Sequence, residues 1–153
     1  MSTPPQTIPN NLRWQNADRT ALVVGRVLLA SLFILAALNK MVNYETTAVR
    51  MTANGLQPAA LLLPLTIALE LLGGLSVAFA VRYAFVGAAL LAVFTLATNA
   101  VFHQFWVATP EIRPLEFSLF FKNIAITGGL IYFAANSWLA FLQSRYQVEG
   151  RVR

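Results

Sequence analysis

A single carboxylate, Glu70, stands in the middle of the apolar stretch TIALELLGGLSVAFAV. A charged group at the centre of a bilayer costs about 2.5–3.5 kcal/mol on insertion scales, so it should face other helices and find a partner there. Arg26 has the opposite charge, and a count from the helix ends places it within about 5 Å of the depth of Glu70. We therefore predict an Arg26–Glu70 ion pair. The pair has a structural role in one interpretation. In the other, Glu70 has a shifted pKa and either moves protons or holds a ligand.

A second set of polar side chains recurs in the other apolar stretches. Thr95, Asn99 and His103 follow i, i+4, i+8 spacing, which places them on one face of a helix. Because one polar stripe per helix indicates an inward-facing wet pocket, we predict a ligand-binding site formed by Lys40, Asn99, His103, Trp106, Lys122 and Asn123. The alternatives are that the two lysines snorkel to the lipid headgroups and that His103 bonds a backbone carbonyl.

The composition limits the kinds of chemistry that these residues can perform. Of the 153 residues 58% are hydrophobic and 11% are charged, which indicates a membrane protein. One histidine and no cysteine exclude disulfides, thiol relays and His-rich metal or haem sites, so we predict no metal. The net charge of +5 resides mostly at helix ends. It therefore reflects membrane topology, and we expect no nucleic-acid partner.

Four apolar spans must position these residues, and each is long enough to cross a hydrocarbon core of about 30 Å. They cover residues 20–38, 59–80, 83–102 and 119–142. We predict an all-α protein with a four-transmembrane-helix bundle over residues 19–142. A flexible polar arm (1–18) precedes the bundle and a basic tail (143–153) follows it. Residues 42–57 either pack over the mouth of the bundle or form a solvated loop.

The basic residues outside the spans predict the orientation. Six lie on the side of the two termini: Arg13, Arg19, Arg82, Arg145, Arg151 and Arg153. The other side has four, namely Lys40, Arg50 and Arg113 outside the spans and Lys122 just inside the fourth span. Since cytoplasmic segments carry an excess of Lys and Arg, we expect both termini on the cytoplasmic side of the inner membrane.

Taken together, these residues resemble the DoxX family of small four-helix membrane proteins. The resemblance runs from Arg26 to about Ala135 and rests on five features. These are Arg26 with Lys40, Gly55, Glu70 with Gly73-Gly74, the segment His103-Gln104-Phe105-Trp106, and Phe121-Lys122-Asn123 before Gly128-Gly129. The sequence departs from the family at Ala36-Ala37, where a glycine is common, and after Asn136, where a basic tail replaces a Gly-rich end.

The resemblance implies a membrane component associated with redox enzymes, without specifying a substrate. The first hypothesis is a quinone-binding subunit of a membrane oxidoreductase, which would act in catalysis only with a redox partner protein. The alternative is a non-catalytic scaffold or assembly partner that binds a lipid or a small anion. A transporter is less favoured because four helices leave little room for alternating access. A homo-oligomer is compatible with all three hypotheses.

Overall fold

The computed structural model describes residues 11–149, and the side chains of residues 19–147. This part of the chain consists of helices joined by short connections: α1 (Asn11–Val42), α2 (Tyr44–Ala53), α3 (Ala59–Phe79), α4 (Ala84–Phe102) and α5 (Arg113–Glu149). The predicted all-α class is confirmed. Residues 1–10 of the predicted arm and residues 150–153 of the predicted tail lie outside the described residues.

Four of these helices are long and apolar enough to cross a membrane. The spans are Arg19–Val42, Ala59–Phe79, Ala84–Phe102 and Arg113–Gln147. The fourth is longer than the predicted 119–142, because α5 begins at Arg113 and continues without a break to Glu149. The predicted four-transmembrane-helix bundle is therefore confirmed, and the orientation of its termini stays a prediction. Because successive spans alternate in direction, α2 and residues 103–112 lie at the same end, which we name the α2 end.

The segment between the first two spans forms a helix that packs on the bundle. α2 contacts α1 and α3, so it packs over the bundle mouth rather than forming a loop. It ends where Gly55 adopts a φ of +78°, a left-handed conformation that glycine adopts without steric cost. The side-chain amide of Asn54 donates to the carbonyl of Arg50 at 2.8 Å and satisfies one of the last carbonyls of α2.

Small residues set the packing of the spans, which pair in the order α1–α3, α3–α4 and α4–α5. The position of a Cβ on Gly74 lies 3.3 Å from the carbonyl oxygen of Ala30 and 3.4 Å from the nitrogen of Ile34, so α1 and α3 approach closely there. Gly73 instead faces the side chain of Leu91 of α4, whose Cγ lies 2.9 Å from the position of a Cβ on Gly73. In contrast, large apolar side chains such as Leu28 and Leu72 are about two-thirds exposed (67% and 66%) and face the lipid.

We predict that Gly74→Val lowers the free energy of unfolding in detergent by about 1–3 kcal/mol, because the added methyl groups meet the backbone of α1. The control is Gly128→Val, since a Cβ on Gly128 meets nothing within 4 Å. Both variants carry the same intrinsic cost of valine in a helix, so the difference between them measures packing. Equal losses of stability would contradict the predicted contact.

Candidate functional site

The buried carboxylate of Glu70 forms an ion pair with Lys40. The Nζ atom of Lys40 donates to Oε1 at 2.9 Å and to Oε2 at 2.8 Å, so both carboxylate oxygens are bonded. Glu70 is only 4% exposed. The pair connects the end of α1 to the middle of α3 and gives the acid the partner that its position in the membrane requires.

The partner of Glu70 is therefore Lys40, where the sequence predicted Arg26. The contacts of Gly74 with Ala30 and Ile34 fix the register of the antiparallel pair α1–α3, which puts Glu70 level with about residue 36 of α1. Lys40 lies about 6 Å beyond that level, within the reach of a lysine side chain, whereas Arg26 lies about 15 Å away on the other side. The Nε of Arg26 is buried and has no hydrogen-bond partner among the described residues.

A cavity of about 420 Å³ opens beside this ion pair, near the α2 end of the bundle. Its volume falls within the range of small-molecule sites. Four helices and Leu56 line it, and α5 contributes no lining residue. The lining residues are Lys40, Thr47, Arg50, Met51, Leu56, Leu62, Thr66, Glu70, Phe94, Ala97, Thr98, Val101, Phe102 and His103.

His103 lies at the end of α4, where its ring reaches both the cavity and a second carboxylate. Its Nδ1 is 2.8 Å from Oε2 of Glu116, which lies in the first turn of α5. Both side chains are about one-fifth exposed (19% and 20%). An ionised carboxylate only accepts hydrogen bonds, so Nδ1 carries the hydrogen and Nε2 is left for another partner.

Two of the predicted ligand-binding residues join helices rather than line the cavity. Asn123 Nδ2 donates to Asn99 Oδ1 at 3.0 Å, and Asn99 Nδ2 donates to the carbonyl of Phe120 at 3.2 Å. These bonds hold α4 against α5 in the apolar interior, where interhelical hydrogen bonds stabilise packing. Thr95, in the same stripe, donates to the carbonyl of Leu91 at 2.7 Å within its own helix.

Trp106 and Lys122 also lie outside the cavity lining. Trp106 is 52% exposed and packs edge-on against Phe105 at 5.2 Å between ring centroids. Lys122 is exposed on α5. Of the six predicted ligand-binding residues, the structure thus brings only Lys40 and His103 to the cavity, because the face of α5 that carries Asn123 packs against α4.

Sequence reasoning missed the contribution of α2 and the role of Glu116. Thr47, Arg50 and Met51 line the cavity from α2. Packing of residues 42–57 over the bundle mouth was one of two alternatives from the sequence, and no pattern in the segment marked these three residues. The signal for Glu116 was available, since an acid follows the chain's only histidine by thirteen residues across a predicted loop.

The loop acid Glu111 has a different environment from Glu116. A hydrogen bond from the side chain of Thr109 holds the pKa of the Glu111 carboxyl below its ordinary value. Within the described part of the chain, no three His, Asp or Glu side chains come together in a way that could hold a metal ion.

The spans, the buried ion pair and the cavity define a small multi-pass α-helical membrane protein with an internal cavity. The DoxX family model matches residues 21–104 of the chain. Inner membrane protein YqjF of Escherichia coli (strain K12) is 34% identical over 117 residues, which cover 76% of this chain and 84% of that protein. No solved structure matches the chain. The chain belongs to the DoxX family and is an integral inner-membrane protein.

The family match contains every lining residue of the cavity, from Lys40 to His103. It ends before α5, so Glu116, Lys122 and Asn123 lie beyond it. The cavity is therefore built by the matched part of the chain, and the carboxylate that orients His103 is contributed from outside that part.

We predict that Lys40→Met lowers the free energy of unfolding in detergent by about 3–5 kcal/mol, because it leaves the Glu70 carboxylate buried without a counter-charge. Lys122→Met is the matched control, since Lys122 is exposed and makes no ion pair with another described residue. The measurement is thermal or denaturant unfolding of the purified variants. A loss in Lys40→Met no larger than in the control would contradict the ion pair.

Proposed function

We propose that the cavity binds the head group of a quinone and that the chain serves as the quinone-binding subunit of a membrane redox system. The observation that carries this proposal is a cavity inside the spans that combines hydrogen-bond donors, an apolar surface and a carboxylate-oriented imidazole. A quinone head has a flat apolar ring and two carbonyl oxygens that accept hydrogen bonds.

The polar side chains of the lining supply suitable donors. The guanidinium of Arg50 has five N–H groups, and it makes no ion pair with another described residue. The hydroxyl of Thr66 has no hydrogen-bond partner among the described residues, so it can donate to a ligand. Thr47 and Thr98 instead donate to backbone carbonyls at 2.8 and 2.9 Å and can only accept. Arg50 and Thr66 can thus donate hydrogen bonds to a ligand with carbonyl oxygens.

The apolar part of the lining suits the ring of the head group. Leu62 of α3 and Phe94, Val101 and Phe102 of α4 are apolar lining residues. Such a lining with a few placed polar groups is the usual composition of a small-molecule site. The aromatic side chains Phe94 and Phe102 can stack against a flat ring.

The His103–Glu116 pair supports proton exchange with the bound head group. Reduction of a quinone to a hydroquinone takes up two electrons and two protons. A partner redox protein would deliver the electrons. The imidazolium form of His103 would donate one proton from Nε2 to one carbonyl oxygen of the quinone and would then be reprotonated from water. The second proton would reach the other carbonyl oxygen from water, while Glu116 at 2.8 Å holds the ring in place.

A second candidate function is a non-catalytic scaffold that binds a phospholipid headgroup or a small anion. The observation that favours it is the charge of the lining, in which Lys40 and Arg50 outnumber the carboxylate of Glu70. Such a protein would act as an assembly partner for other membrane proteins. The bound molecule distinguishes this candidate from the quinone-binding subunit.

We expect organic extraction of the detergent-purified protein, followed by mass spectrometry, to release near-stoichiometric quinone. His103→Ala should lose the quinone, because it removes the imidazole from the lining. Lys122→Ala is the control and should retain it, since Lys122 lies outside the lining. The absence of quinone from the unsubstituted protein, or equal amounts in both variants, would contradict the proposal. Recovery of only phospholipid or an anion would favour the scaffold.

A further inference from the structure

The mouth of the cavity lies between α2 and α4. Of the fourteen lining residues, only Arg50 on α2 and Ala97 on α4 are exposed, and the other twelve are partly or fully buried. The cavity therefore reaches the surface of the protein where these two residues lie.

The two helices at this mouth are not packed against each other. α2 contacts α1 and α3, whereas its backbone makes no close approach to α4 within the described residues. The contact across the gap is the guanidinium of Arg50 over the ring of Phe102, with 5.7 Å between Cζ and the ring centroid. One exposed cation–π contact is worth about 0.5–1 kcal/mol, so a ligand can displace it readily.

On the α4 side, the mouth borders the lipid-facing surface of the bundle. Ala97 lies five residues before the end of α4 at Phe102, which is about 7.5 Å inside the span. It continues a stripe of exposed apolar side chains at helical spacing, formed by Val86 (44% exposed), Leu90 (52%) and Val93 (68%). Residues 86 to 97 provide about 16 Å of lipid-facing helix that leads to the mouth.

We propose that the ligand enters this mouth directly from the bilayer and that its apolar tail lies along the stripe of Val86, Leu90, Val93 and Ala97. The inference rests on the proposed quinone site and specifies its substrate class. The substrate is a membrane-dissolved molecule with a polar ring head and a long apolar tail. A water-soluble quinone would have no use for the lipid-facing mouth.

The test uses two probes on the full chain in lipid nanodiscs. One is a benzoquinone with a decyl tail that ends in a photoreactive diazirine, and the other has the same head group without the tail. After irradiation, we expect mass spectrometry to find the label on Leu90 or Val93. Labelling confined to residues 103–112, or to α1 and α5, would overturn the inference.

A pair of tryptophan variants tests the mouth independently of the label position. Ala97→Trp should reduce labelling by the tailed probe about tenfold, because the bulky ring closes the mouth through which the probe enters. Leu96→Trp is the control, since Leu96 is exposed (43%) on the same helix but does not line the cavity. Equal labelling of the two variants would overturn the lipid mouth. Binding of neither probe to the unsubstituted protein would instead overturn the quinone site, and the mouth with it.

Discussion

The ion pair between Lys40 and Glu70 is the interaction on which the site depends. An unpaired carboxylate in a membrane span is costly, and both of its oxygens are bonded by one ammonium group. The pair fixes the end of α1 to the middle of α3, and both residues belong to the cavity wall. The same contact thus stabilises the bundle and places a charged wall beside the space for a ligand.

The packing of the remaining helices explains why the cavity lies at the α2 end. Gly73 and Gly74 allow α3 to approach Leu91 of α4 and the backbone of α1. The three helices therefore pack closely at the level of these glycines. The hydrogen bond from Asn123 to Asn99 holds α5 on the opposite face of α4. Nearer the α2 end, neither α3 nor α4 contains a glycine, and the cavity lies between them beside α2.

Much of the fold could be predicted from the sequence, because four long apolar runs have few stable structures other than membrane-spanning helices. Glu70, Lys40 and His103 could also be selected, since polar groups in apolar spans are expensive. The pairing of Glu70 with Lys40 could not be read from the sequence. The contact of Gly74 with α1 sets the register of α1 against α3. Counting residues from the helix ends does not reveal this register, and it therefore paired Glu70 with Arg26. For the same reason, the sequence did not show which face of α5 packs against α4.

The most direct test of this account is a double-mutant cycle in detergent between Lys40→Met and Glu70→Gln, run beside a cycle between Arg26→Met and Glu70→Gln. The account predicts a coupling free energy of about 1–3 kcal/mol for the first pair and less than about 0.5 kcal/mol for the second. A coupling confined to Arg26 and Glu70, or absent from both cycles, would contradict the register of α1 and α3 and the cavity wall that depends on it.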